Sequence, residues 1–137
     1  MGVLLKIEGL TKTFSEENKT EHAAVDHVSF QIDDGETVGL VGESGCGKST
    51  LAKLIARLME PTAGTIHLNG KEITKSKGKE LREAYRQVQM VFQSPAGSFD
   101  PRKTVGYGIS ESMRNSGMPK AERRRRTEEL LEQCGLS

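Results

Sequence analysis

Apolar positions along the chain change period several times, and each change predicts an element. Leu4 to Leu10 is a short apolar strand, Ser15 to His22 a charged loop, and Val28, Phe30 and Ile32 alternate with Ser29 and Gln31 as a half-buried strand. Asp33-Asp34-Gly35 then turns the chain into Glu36 to Val41, apolar and β-branched enough for a buried strand. Beyond it, Leu51, Leu54, Ile55, Leu58 and Met59 recur at the spacing of a helix face, which Pro61 stops. Thr65 to Leu68 alternates again, Asn69-Gly70 predicts a hairpin turn, and Lys71 to Ile73 returns. A polar stretch leads to a short helix around Glu80 to Arg86, and Val88 to Phe92 reads as another buried strand. From Thr104 the pattern is helical, with Val105, Ile109 and Met113 on one side. Ala121 to Leu131 is a charged helix with Leu130 and Leu131 facing inward.

Between the strand at Glu36–Val41 and the helix at Leu51 lies a segment with almost no bulky side chains. Gly42, Gly47, Lys48 and Ser49 satisfy Gly-x-x-x-x-Gly-Lys-Ser/Thr, and strand-then-helix is the setting in which that spacing has a mechanism. Glycine allows the positive φ angles that turn successive N–H groups inward, and its missing Cβ admits a ligand to the main chain. The ligand of such a loop is an anion. The helix adds free N–H groups and the positive end of its dipole, which suits the β-phosphate of a nucleotide. Lys48 then reaches the β- and γ-phosphates and the Ser49 hydroxyl is offered to Mg²⁺. The nucleotide-binding set is Gly42, Glu43, Ser44, Gly45, Cys46, Gly47, Lys48, Ser49 and Thr50.

Composition narrows the classes. With 137 residues and a net charge of +1, the chain has room for one domain and no overall basicity that would point to nucleic acid. Hydrophobic residues are 34%, aromatics 4% and Trp is absent, so the core is expected to be aliphatic and thin. Cys46 and Cys134 lie far apart, one of them in the glycine loop, so a reducing compartment is expected rather than a disulfide. No signal peptide is visible, and no apolar run approaches the ~18 residues a membrane helix needs. Met1-Gly2 does not read as a myristoylation signal, because Lys6 stands where Ser or Thr is required. His22, His27 and His67 share no metal-ligand spacing, and His67 reads as solvent-facing. The run Arg123 to Arg126 is offset by Glu122, Glu128 and Glu129 at i, i+4 spacing, so it reads as a solvated helix face.

"VGESGCGKSTL", "RLMEPTAGTIHLNGKEI" and "RQVQMVFQSPAGSFDPRKTVG" together resemble the ATP-binding subunit of an ABC transporter, within the oligopeptide, dipeptide and nickel importer subgroup. The resemblance implies an α/β fold, the P-loop NTPase (RecA-like) nucleotide-binding domain, truncated to its N-terminal part. Residues 1–37 and 65–74 would form an antiparallel β-layer, 38–60 the phosphate loop and helix, 87–103 a strand and glutamine loop, and 104–137 the start of a helical subdomain. It implies ATP and Mg²⁺ as ligands, with Phe14 stacking on adenine and Gln93 contacting Mg²⁺ and the attacking water. Partners would be transmembrane permease subunits, met through Gln93–Pro101, and a second nucleotide-binding subunit; no nucleic acid is expected. Such a subunit sits peripherally on the cytoplasmic face of the membrane and hydrolyses ATP to drive import.

Other parts of that machinery do not occur in these residues. No Leu-Ser-Gly-Gly-Gln sequence is present, nor an apolar strand ending in Asp-Glu, so the general base that hydrolysis needs has no candidate. Glu16-Glu17 and Glu128-Glu129 belong to a loop and an exposed helix. By the same resemblance, the strands at Glu36–Val41 and Val88–Phe92 pair with strands that come later in the family chain. Unpaired backbone groups cost about 1–3 kcal/mol each, so these residues alone are expected to be marginally stable and inactive. A small P-loop kinase and a non-catalytic nucleotide-binding remnant remain as alternatives.

Overall fold

The computed structural model describes residues 2–15, 17, 20–43, 45 and 47–136, in two compact units, Met1–Met90 and Val91–Ser137. The first unit contains β1 (Val3–Ser15), β2 (Glu21–Asp33), α1 (Lys48–Ile55), β3 (Ala63–Leu68), β4 (Lys71–Glu72) and α2 (Gly78–Gln87). The strands form one sheet in the order β2-β1-β3-β4, antiparallel throughout. In β1 the alternation is direct: Leu5 and Ile7 are buried while Lys6 and Glu8 face solvent and pair at 2.9 Å. The Lys6 ammonium holds the Glu8 carboxyl below its ordinary range, by hydrogen bond first and by charge second. A register shift after Ile7 changes the parity and returns Leu10 to the core.

The core gathers Leu5, Ile7, Leu10, Val25, Ile66 and Leu68 of the sheet against Leu51 and Leu54 of α1. It is aliphatic, as the composition implies. Between Leu10↔Val28 and Lys12↔Val25 the ladder is irregular, because β2 carries Asp26 and His27 opposite Thr11 alone. The buried Thr11 hydroxyl accepts from His27 N at 3.1 Å and donates to the Gly9 carbonyl at 3.1 Å, so the bulge leaves neither group unpaired. The hairpin at Asn69-Gly70 forms as expected. Both residues have positive φ, 50° and 76°, which a two-residue primed turn requires.

The helix after the glycine loop is shorter than its apolar pattern suggests. α1 ends at Ile55, and Arg57 takes a left-handed φ of 57°. Leu58 N then donates to Lys53 O at 2.9 Å and Arg57 N to Leu54 O at 3.0 Å, the paired bonds that close a helix around a left-handed residue. Glycine usually occupies that position. Here arginine is held there by its own side chain, which is buried and donates to the carbonyls of Ile73 (2.9 Å), Ser76 (3.2 Å) and Met59 (3.4 Å). Tyr85 Oη, from α2, donates to the Arg57 carbonyl at 2.9 Å. Leu58 is consequently turned out to solvent at 52% exposure instead of extending the helix face.

Three further expectations are corrected. Glu36 to Val41 forms no strand and is exposed, Val41 by 94%. Val88 to Phe92 forms none either: Val88 is half-buried, but Val91 and Phe92 are exposed. An apolar run becomes a strand when a neighbour accepts its backbone hydrogen bonds, and the four strands of the sheet lie elsewhere. His67, read as solvent-facing, is half-buried, with its Nδ1 enclosed and without a protein hydrogen-bond partner.

The second unit contains a 3₁₀ turn at Pro95–Ser98 and helices α3 (Val105–Ile109), α4 (Glu111–Asn115) and α5 (Lys120–Gln133). Thr104 caps α3 by accepting from Tyr107 N at 3.1 Å. The expected single helix breaks at Ser110 into two short ones, since Gly106 and Gly108 lower helix propensity within the run. On α5, Arg124–Glu128 and Arg125–Glu129 pair at 3.1 and 2.9 Å, whereas Arg126 pairs with Glu129 at 3.1 Å rather than with Glu122. Leu130 and Leu131 are half-buried. Among the described residues no helix is long and apolar enough to cross a membrane.

Candidate functional site

The glycine loop runs from Gly42 into α1, and its geometry follows from what β2 leaves room for. Gly47 is the residue before the helix, with φ 94° and ψ 6°. A Cβ built there would lie 2.1 Å from the Ala24 carbonyl oxygen, so any side chain would collide with the β2 backbone. Glycine is thus required twice, for the left-handed turn and for the contact. Close packing against β2 sets where α1 begins. Leu51 N donates to Gly47 O at 2.9 Å as the helix's first bond, which leaves the N–H groups of the residues before Leu51 without helical partners. Among the described residues no side chain caps this end, and its first turn contains no acidic residue. Its donors and its positive dipole end therefore stay available to an anion.

Lys48 is half-buried and folds back over the loop. Its Nζ donates to the Gly42 carbonyl and, at 3.0 Å, to the Glu43 carbonyl. The ammonium is therefore held at the loop without a carboxylate partner among the described residues, and a phosphate can replace carbonyls as its acceptor. Gly45 has φ 81° and no atom within 4 Å of a Cβ position, so the loop is open on that side. Ser49 is exposed and Thr50 half-buried in the first turn of α1. Ser44 and Cys46, which the motif also includes, lie outside the described residues.

Phe14 stands near the end of β1, opposite His22 of β2, two residues before the Ala24 that beds Gly47. The β1–β2 ladder thus brings the aromatic position to the end of the sheet on which the glycine loop rests. A ring of the core would be buried, whereas Phe14 is 41% exposed. Gln93 is also exposed, and it belongs to the second unit, just ahead of the 3₁₀ turn. In the same stretch Asp100 accepts from Arg102 Nε and Nη2 at 3.0 and 3.1 Å and from Arg102 N at 3.0 Å. The guanidinium, and then the backbone donor, keep the Asp100 carboxyl below its ordinary range.

Among the described residues there is no group of three His, Cys, Asp or Glu able to hold a metal ion. A cation here would need ligand oxygens brought by a phosphate, and the Ser49 hydroxyl is a hard oxygen donor of the kind Mg²⁺ takes. A cavity of about 330 Å³ is lined by Glu60–Gly64 with Thr74, Lys75 and Lys77. Sequence reasoning missed Lys12, whose ammonium lies 5.4 Å from the Phe14 ring centre. The available signal was its spacing: residues two apart on a strand share a face. Arg57 gave no such signal, because its closest partners, the carbonyls of Ile73 and Ser76, are distant in sequence.

Residues 25–137 match the ABC transporter family. A probable peptide ABC transporter ATP-binding protein of Sinorhizobium fredii is 43% identical over 141 residues, covering 98% of this chain and 40% of that protein. A nickel import ATP-binding protein of Pseudomonas putida is 41% identical over 113 residues, covering 82% of this chain and 41% of that protein. Among solved structures, the dimeric ATP-binding cassette MJ0796 bound to ADP and Pi superposes with a TM-score of 0.86 at 28% identity, covering 98% of this chain and 58% of that one. The chain spans about two fifths of the length of these curated relatives.

Proposed function

The chain belongs to the ABC transporter family and has the P-loop fold of its ATP-binding cassettes, and from that premise we propose that Gly42 to Thr50 bind the phosphates of MgATP while Phe14 stacks on the base. The observation that carries this reading is the start of α1 above Gly47, without a side-chain cap among the described residues, with the Lys48 ammonium already folded over the loop. Magnesium, held by Ser49 together with phosphate oxygens, would supply charge neutralisation at the β- and γ-phosphates. In a subunit of this kind, hydrolysis powers import of a peptide or of nickel, the cargoes that the names of the relatives carry. That subunit pairs with a second nucleotide-binding subunit and sits on the cytoplasmic face of the membrane. There, Gln93 to Pro101 meets the permease.

Base stacking is tested by comparing two ligands. Phe14→Ala is expected to weaken ATP roughly tenfold, since a base–aromatic stack is worth about 1–3 kcal/mol, and to leave inorganic triphosphate binding as it was. Titration calorimetry with both ligands measures this. Equal losses would make Phe14 a structural residue.

Turnover is tested on the same 137 residues. We expect phosphate release no greater than the buffer blank, even from protein that binds nucleotide. Hydrolysis needs a carboxylate within hydrogen-bond reach of the attacking water. Glu128 and Glu129 are exposed or half-buried and committed to arginines of their own helix, and Glu17 lies in an exposed turn. Loss of transition-state groups commonly forfeits several kcal/mol of barrier reduction. A steady-state phosphate-release assay decides it, with Lys48→Ala as the contamination control. Substantial release that disappears in that variant would identify a base within these residues and favour a kinase-like or other P-loop chemistry.

A further inference from the structure

Lys12 and Phe14 lie two residues apart on β1, and the Lys12 ammonium sits over the Phe14 ring, 5.4 Å from its centre. The same Nζ donates to the Glu60 carbonyl at 2.8 Å, so the cation is anchored from behind and does not roam. The intervening residue fixes the strand as well. Thr13 N donates to Thr62 Oγ1 at 3.0 Å, and Thr62 N donates to the Thr11 carbonyl at 2.8 Å. These bonds tie the end of β1 to the Glu60–Thr62 segment, which follows α1, the helix that opens at Lys48. Lys12 is half-buried in this arrangement while Phe14 keeps 41% of its surface exposed. A cation thus covers part of the ring and solvent reaches the rest.

We infer that Lys12 is a positioning residue for the nucleobase: its ammonium, anchored on the Glu60 carbonyl, steadies the Phe14 ring so that the open face is presented flat to a purine. The inference rests on the reading of Phe14 as the base-stacking residue. Two physical effects act together. The ring quadrupole attracts the cation, which narrows the ring's orientations before ligand arrives and lowers the ordering cost of binding. Electron density drawn toward the ammonium also makes the opposite face a better partner for an electron-rich purine. Because the Glu60 carbonyl holds the ammonium, the lysine is not required to contact the nucleotide at all.

The test is a set of titrations with MgATP and with inorganic triphosphate on the chain and on Lys12→Met, Lys12→Gln, Lys12→Arg, Phe14→Ala and the Lys12→Met/Phe14→Ala pair. Lys12→Met is expected to weaken ATP about threefold to fivefold, the scale of an exposed cation–π contact, and to leave triphosphate unchanged. Lys12→Gln keeps a donor for Glu60 without the charge and should lose the same amount, whereas Lys12→Arg should restore binding. In the Phe14→Ala background, Lys12→Met should cost nothing further. Triphosphate binding reports that each variant is folded. Equal losses for both ligands, or an undiminished Lys12 effect once Phe14 is gone, would overturn the inference, since either result means Lys12 acts on the phosphates or on the fold. Should Phe14→Ala discriminate between the ligands while Lys12→Met and Lys12→Gln do not, the positioning role falls and the stacking reading stands. Should Phe14→Ala itself fail to discriminate, both fall.

Discussion

Lys48→Ala is expected to reduce MgATP affinity by about a hundredfold or more, to the limit of detection in a direct titration. Hydrogen bonds to charged groups contribute about 1.5–3 kcal/mol each, and an ammonium shared between two phosphates makes two of them. At about 1.4 kcal/mol per tenfold in affinity, that amounts to at least two orders of magnitude. Without ligand, the Lys48 Nζ is held at the loop by the carbonyls of Gly42 and Glu43. Glu43 is the one acidic residue of the loop, and α1 has none in its first turn. The bonds lost from the unliganded protein are exposed ones, so thermal stability should change little. A titration paired with a melt separates the two effects. Unchanged affinity in a variant that melts normally would place the anion site away from this loop.

Gly64→Ala is expected to damage the fold severely. Gly64 lies in β3 with φ 89°, and a Cβ there would stand 2.4 Å from the Gly9 carbonyl oxygen and 2.6 Å from Leu10 Cα. Both obstacles are backbone of the central strand, at the point where the β1–β3 register shifts. A flexible side chain could move aside; β1 cannot without opening its ladders to β2 and β3. Strain at a left-handed position is worth about 1–3 kcal/mol and overpacking about 1–3 kcal/mol more, so a loss of about 2–6 kcal/mol is expected. Against the ~5–15 kcal/mol typical of a whole domain, that is enough to unfold a weak one. Gly70→Ala supplies the control, because its φ is 76° and nothing lies within 4 Å of the added Cβ. It should lose the strain alone, about 1–2 kcal/mol. Urea midpoints of the two variants give the comparison. Equal destabilisation would mean that β1 and β3 separate readily enough to admit a methyl group.

The sequence by itself determined what depends on neighbours along the chain. Gly42, Gly47, Lys48 and Ser49 stand out as a candidate phosphate loop because such a loop draws its donors from consecutive residues. Asn69-Gly70 is legible because two positive φ angles are a local demand. The alternations in β1, β2 and β3, and the Leu51–Leu54 face of α1, are readable for the same reason: one buried face imposes a period of two or of 3.6. The ion pairs of α5 were half legible, since i, i+4 spacing makes Arg124–Glu128 and Arg125–Glu129 possible while rotamers alone decide that Arg126 takes Glu129.

Only the tertiary structure decided the rest. Glu36 to Val41 and Val88 to Phe92 have the composition of strands, yet strand formation belongs to a pair of segments, and neither has a partner in the sheet. The end of α1 was misjudged because the residue that stops the helix is an arginine, whose left-handed turn is stabilised by the carbonyls of Ile73 and Ser76 and not by any local rule. The role of Gly47 was half visible. Its turn follows from the motif, but its contact with the Ala24 carbonyl requires the folded β2. The placement of Lys12 over Phe14, anchored at Glu60, likewise exists only once β1 and the segment after α1 have met. Local rules act on residues a few positions apart, whereas hydrogen-bond partners, steric limits and shared charge come from whatever the fold brings alongside.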